Sequence, residues 1–121
     1  MDPDFVDVGS LSDFPEGRGR AVPLGTRRVA IFRLAGRFHA IQDRCPHMAA
    51  SLADGAIEDG RLVVCHMHGW KFDVTTGAGA PPAKSWACAR IYEVRVEGDR
   101  VLLRRPDEPQ ATVPEEWPTL Q

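Results

Sequence analysis

The chain is poor in the residues that would place it in several large classes of protein. It has three cysteines, too few and too odd in number for the disulfide framework of a small secreted domain. No run approaches the roughly 18 apolar residues of a membrane-spanning helix, and the acidic start Met1-Asp2-Pro3-Asp4 lacks the charged and apolar regions of a signal peptide. Neither sign of charge dominates. Fifteen basic against 17 acidic side chains leave a formal net charge of -2, and the arginines are scattered, so nucleic-acid binding has no electrostatic footprint. Disorder is not expected either, since 43% hydrophobic and 26% charged residues are ordinary for a globular protein. The 121 residues suit one domain with a modest core, expected in the cytoplasm and without a membrane partner.

Strand signals cover most of the chain. Phe5 to Val8 is a short β-prone run, followed by a polar loop from Gly9 to Gly19. Ala21 to Leu24, the turn residues Gly25-Thr26 and Arg27 to Leu34 predict a hairpin, and Arg37 to Gln42 continues it as a meander after Ala35-Gly36. Asp59-Gly60 is a strong turn dipeptide before Arg61 to Val64, which leads straight into Cys65. Trp70 to Val74 is expected as the return strand, and Thr75 to Pro82 as loop. Ile91 to Val96 alternates with period two and, after Gly98-Asp99, predicts a C-terminal hairpin with Arg100 to Arg104. Pro106 to Gln121 carries four prolines and reads as a tail, either frayed or fixed to the body by Trp117.

Chemistry concentrates in two short runs, Cys45-Pro46-His47 and, after seventeen intervening residues, Cys65-His66-Met67-His68. One Cys and one His per loop, in the same order twice, suits a two-iron cluster with unequal irons, two thiolates on one and two imidazoles on the other. The same four donors could hold a tetrahedral zinc ion, although Cys-x-His is a less usual first half for zinc than Cys-x2-Cys. The third cysteine, Cys88, enters an apolar-alternating stretch and is expected to be a small buried hydrophobe. His39 falls in a strand at opposite parity to Phe38 and Ala40, so it is expected to be solvated or edge-packed, with no role in the site.

The stretch from Cys45 through Asp73, CPHMAASLADGAIEDGRLVVCHMHGWKFD, resembles the Rieske signature, in which Cys-x-His and Cys-x2-His-Gly loops embrace a [2Fe-2S] cluster. Ser51 to Gly55 and Thr76-Gly77 through Pro81-Pro82 resemble flanking segments of the same family, and the likeness extends over roughly residues 5 to 104. It implies an all-β fold: an antiparallel β-sandwich base with an inserted cluster-binding subdomain of two loops. The division it implies is a single domain over 1–105, with the subdomain at about 43–83, and a Pro-rich tail over 106–121.

One cluster per chain is implied, with Cys45 and Cys65 as thiolate ligands of the inner iron and His47 and His68 as ligands of the outer one. His68 is preferred over His66 because Gly69 follows it at the family's position. Two thiolates leave an oxidised [2Fe-2S] site neutral, which eases uptake of an electron relative to four thiolates; Rieske potentials run from about -150 to +300 mV against about -400 mV for plant-type ferredoxins. Respiratory Rieske proteins carry an extra cysteine in each loop, where this chain has Ala50 and Met67. They also place hydroxyl residues after the second histidine, where this chain has Trp70 and Phe72. Fewer donors to the cluster imply a low potential within the family's range.

The resemblance implies a soluble Rieske ferredoxin that carries single electrons from a flavin reductase to a terminal, ring-hydroxylating oxygenase. Such a protein is a non-catalytic component of a larger oxidoreductase, since the chain has no room for an oxygenase's mononuclear iron domain. Met48, Ala49, Met67, Gly69, Pro81 and Pro82 are expected as an apolar collar around the histidines, with Met48 and Met67 on the docking side. Two alternatives are carried: the small subunit of an assimilatory NAD(P)H nitrite reductase, partnered by its large subunit, and a zinc-stabilised interaction module. Many nitrite reductase small subunits lack some cluster ligands, whereas all four are present here.

Overall fold

Left-handed turns at glycine punctuate a run of short strands. A computed structural model describes residues 3–46, 50–67, 69–84 and 86–105. Within them the strands are β1 (Phe5–Ser10), β2 (Gly19–Leu24), β3 (Arg27–Leu34), β4 (Arg37–Gln42), β5 (Ala56–Glu58), β6 (Leu62–Val64), β7 (Lys71–Asp73), β8 (Gly79–Ala80), β9 (Ile91–Tyr92), β10 (Val94–Glu97) and β11 (Arg100–Arg104). They form three antiparallel sheets ordered β1-β11-β10, β2-β3-β4-β9 and β5-β6-β7-β8. The fold is all-β, as the sequence predicts, and the third sheet is inserted between β4 and β9. Among the described residues no helix is long and apolar enough to cross a membrane.

The middle sheet is covered on both faces, and β3 shows why its sequence is nearly continuously apolar. Val29 and Ile31 point one way, into a core with Phe14, Val22, Leu24, Ala40, Val101 and Leu103. Ala30, Phe32 and Leu34 point the other way, into a core shared with Leu52, Val63, Phe72 and both loop cysteines. A strand buried on two faces loses the alternation that a half-exposed strand keeps. On β4 the same division puts Ala40 and Phe38 into the first core and Ile41 into the second.

The run Ile91 to Val96 is not one strand of a C-terminal hairpin. Ile91 and Tyr92 pair with Ile41 and Ala40 of the middle sheet, whereas Val94 to Glu97 pair with β11 in the first. Glu93 marks the crossing, and Tyr92 and Val94 stay packed against the same core on either side of it. Period-two alternation records which face is inward, and a strand changing sheets at a sandwich corner keeps that face inward. Its β11 partner is itself paired on the other edge by β1, where Asp7 receives two bonds of 2.9 Å from Arg100.

Two strands lie where no strand is predicted. Ala56–Glu58 pairs with β6 across a turn in which Asp59 and Gly60 both have positive φ, 55° and 71°. Gly79–Ala80, within the stretch expected as loop, pairs with β7. The tail expected at 106–121, including Trp117, lies outside the described residues.

Candidate functional site

Each of the two sequence-predicted cysteines stands at the first position of a closed six-residue loop. Cys45 donates its backbone N–H to the carbonyl of Ala50 at 2.9 Å, and Cys65 donates its own to the carbonyl of Trp70 at 2.7 Å. The spacing is the same in both loops, so the two Cys–His runs are built on one backbone plan. Loop two carries a further bond, Gly69 N–H to the Cys65 carbonyl at 2.9 Å, with Gly69 at φ 77°, a conformation that favours glycine.

Loop one is held from below by Asp43, a buried carboxylate two residues before Cys45. Its Oδ1 accepts from the Ser51 hydroxyl at 2.7 Å and from the Ala53 N–H at 3.0 Å, while its carbonyl accepts from Leu52 N–H at 2.6 Å. Arg28 approaches the other oxygen at 3.7 Å. Gln42 donates from its side chain to the Arg44 carbonyl and accepts from the Arg90 N–H, both at 2.7 Å, which ties loop one to the segment leading into β9.

Loop two springs from β6 and β7, paired through Val63 and Phe72. Below it, Asp73 receives the Thr75 N–H at 2.8 Å and the Arg61 guanidinium at 3.0 Å, and its carbonyl closes the following turn by accepting from Gly77 N–H at 2.7 Å. Burial pushes the Asp73 pKa upward, but the Thr75 side chain and backbone, Arg61 and the Thr76 backbone together outweigh it, and the carboxyl titrates below the usual range.

Neither cysteine is in a disulfide, and both residues are only 1% exposed, within a cluster that includes Leu52, Val63, Trp70 and Phe72. The structure thus brings Cys45 and Cys65 to one apolar core from two loops of matching closure. This donor set fits a [2Fe-2S] centre, because buried thiolates are costly unless a metal takes up their charge. His47 and His68, with Met48 and Ala49 of the expected collar, lie outside the described residues. His66 and Met67 are exposed, as are Pro81 and Pro82.

One expectation changes. Cys88 is exposed, not a buried hydrophobe; its neighbours Ala87 and Ala89 are the buried positions, and the bridge between Cys88 and Ala78 sets that parity. His39 is half-buried on the Ile41 side of β4, where burial and then Arg37 lower its pKa against an opposing pull from Asp73. Sequence reasoning missed Asp43, Asp73 and Gln42. Only Asp73 had a local signal, a threonine two residues on, the pattern of an Asx turn. It also missed Trp86, 68% exposed, whose ring meets that of buried Trp70 edge-on at 5.8 Å.

Comparison with known proteins agrees with this geometry. The Rieske [2Fe-2S] domain model matches residues 4–93. The ferredoxin component of the alkene monooxygenase system of Xanthobacter autotrophicus (strain ATCC BAA-1158 / Py2) is 34% identical over 84% of this chain and 82% of its own length. The biphenyl dioxygenase ferredoxin subunit of Pseudomonas sp. (strain KKS102) is 37% identical over 82% of this chain and 90% of its own. A chain from the complex of reduced oxygenase and oxidized ferredoxin in carbazole 1,9a-dioxygenase superposes with a TM-score of 0.78 at 29% identity, over 90% of this chain and all of that one.

Proposed function

Because the chain belongs to the Rieske [2Fe-2S] domain family, we propose that it is the ferredoxin component of a multicomponent oxygenase, taking single electrons from a flavin reductase and passing them to a terminal, ring-hydroxylating oxygenase. The observation that carries this reading is that relatives matched over most of both chains are ferredoxin components of oxygenase systems. The chain is a carrier and not itself a catalyst, in keeping with a soluble, cytoplasmic component. Residues 1–105 act as one domain, with 43–83 as its cluster-binding part.

The family's [2Fe-2S] cluster, one per chain, supplies a one-electron change when bound. Cys45 and Cys65 would hold one of its irons and His47 and His68 the other. The chain's own contribution is positional. Asp43, Gln42 and the two Cys N–H bonds fix where the thiols stand, so that little needs to move when the charge of the site changes. Leu52, Val63, Trp70 and Phe72 keep water from the sulfurs. Trp70 and Phe72 offer no hydroxyl, which leaves the reduced site less stabilised and sets the potential toward the low end of the family's range, about -150 mV.

Reconstitution tests this reading. The holoprotein, a flavin reductase and the terminal oxygenase of the same cells should together consume NAD(P)H and hydroxylate substrate, and omission of the holoprotein should abolish turnover. Co-purification with a large sirohaem subunit, in place of oxygenase turnover, would assign the chain to nitrite reduction. A colourless, zinc-bound preparation would contradict both.

A further inference from the structure

The charged residues of this protein are unevenly placed. The whole chain is slightly acidic, yet segments 44–53, 62–72 and 74–92 contain no Asp or Glu and carry Arg44, Lys71, Lys84 and Arg90. These are the two cysteine loops with their flanks and the stretch that folds beside them. Gln42 bonds to the Arg90 backbone, and β8 pairs with β7. Of the carboxylates that border these segments, Asp43 and Asp73 are buried and engaged by hydrogen bonds, while Asp54 and Glu93 are exposed, Glu93 lying 3.6 Å from Arg104. Lys71 is paired with Glu58 at 2.7 Å, whereas Lys84 is exposed two residues from Trp86.

Trp86 is the most exposed of the large apolar side chains among the described residues, at 68%. It rests edge-on against Trp70, whose carbonyl closes loop two, and Met67 of that loop is 52% exposed. One side of the indole is therefore braced on the site's own wall while the rest stands in water. An indole so placed is poorly explained by packing, and it has the size, stiffness and low ordering cost of the residues that dominate protein interfaces.

Resting on the proposed carrier role, the geometry points to Trp86 as the anchor by which the terminal oxygenase docks, its ring entering an apolar hollow whose rim is carboxylate-rich and faces Lys84. An oppositely charged rim speeds encounter and sets orientation, and a single aromatic anchor keeps the contact small enough to release after each electron.

The test uses the intact holoprotein and the terminal oxygenase purified from the same cells, with binding measured by calorimetry across a range of salt. Wild-type affinity should fall as salt rises. Trp86→Ala should raise Kd by about tenfold or more while the reduction potential and the electron paramagnetic resonance signal stay as in wild type, and Trp86→Phe should recover most of the affinity. Lys84→Glu should weaken binding at low salt and little at high salt. Trp86→Ala binding within about twofold of wild type would overturn the proposal. So would a shifted potential, which would make Trp86 a shield of loop two, or a loss confined to the reductase. If Trp86→Ala does not fold, Lys84→Glu and Trp86→Phe still decide. Failure of the wild-type protein to pass electrons to the oxygenase would contradict the carrier role itself; a functional wild type with an indifferent Trp86 contradicts only the anchor.

Discussion

Asp43 fixes where Cys45 stands. Its carboxylate satisfies the half-buried Ser51 hydroxyl and the buried Ala53 amide, and removing it leaves the amide without an acceptor, at about 1–3 kcal/mol. Asp43→Ala should therefore lower stability by about 1–3 kcal/mol in chemical denaturation of the apo-protein, and Asp43→Asn, which keeps one oxygen, by less. Asp73 makes a pH-dependent contribution. Its folded pKa lies below the usual carboxylate value, so its stabilisation is complete above the unfolded pKa and is lost as pH falls through the folded one, from about pH 4 downward. Asp73→Asn should be less stable than wild type at neutral pH and should show a shallower loss in acid, measured as denaturation midpoints across pH. The two cysteines were legible in the sequence because metal chemistry restricts both residue type and spacing. Asp43 was not, because its donors lie eight and ten residues away and come together only when loop one folds back. Cys88 was misread because the alternating stretch around it gave the period but not which parity faces inward.

Hairpins explain most of what could be read at the level of elements. β2, β3 and β4 are joined by tight turns with left-handed residues, such as Ala35 and Gly36 at φ 53° and 76°, and their pairing follows from turn position and apolar pattern together. β5 and β8, three and two residues long, are too short for any period to register, and their pairing with β6 and β7 makes them strands. The crossing at Glu93 was hidden for the opposite reason, since a run that keeps one face inward gives no local sign of changing sheets. β5 also presses closely on β6. A methyl group at Gly55 would collide with the Val64 carbonyl, immediately before Cys65. Gly55→Ala should cost about 1–3 kcal/mol of stability and, by displacing the start of loop two, lower cluster occupancy, measured as iron per chain after anaerobic reconstitution.

As a whole molecule the protein is a middle sheet covered on one side by the sheet that joins its first and last described strands and on the other by the inserted sheet of the two loops. The first arrangement depends on residues far apart in sequence: Phe5 of β1 is 2% exposed, with Arg95 of β10 over its ring at 4.0 Å. A variant lacking residues 1–10 should lose its cooperative thermal transition, because β11, with Val101, Leu102 and Leu103 buried, would be left with an open edge. The inserted part is where Cys45, His47, Cys65 and His68 are proposed to hold a two-iron centre that changes by one electron at low potential. The most direct measurement is a redox titration of the anaerobically purified protein followed by electron paramagnetic resonance. The protein should be red-brown, and its reduced form should give a mixed Cys/His-type signal with a one-electron midpoint of about -150 mV. A colourless protein, a midpoint near the -400 mV of four-cysteine ferredoxins, or a Cys45→Ser or His68→Ala variant with an unaltered signal would contradict this assignment.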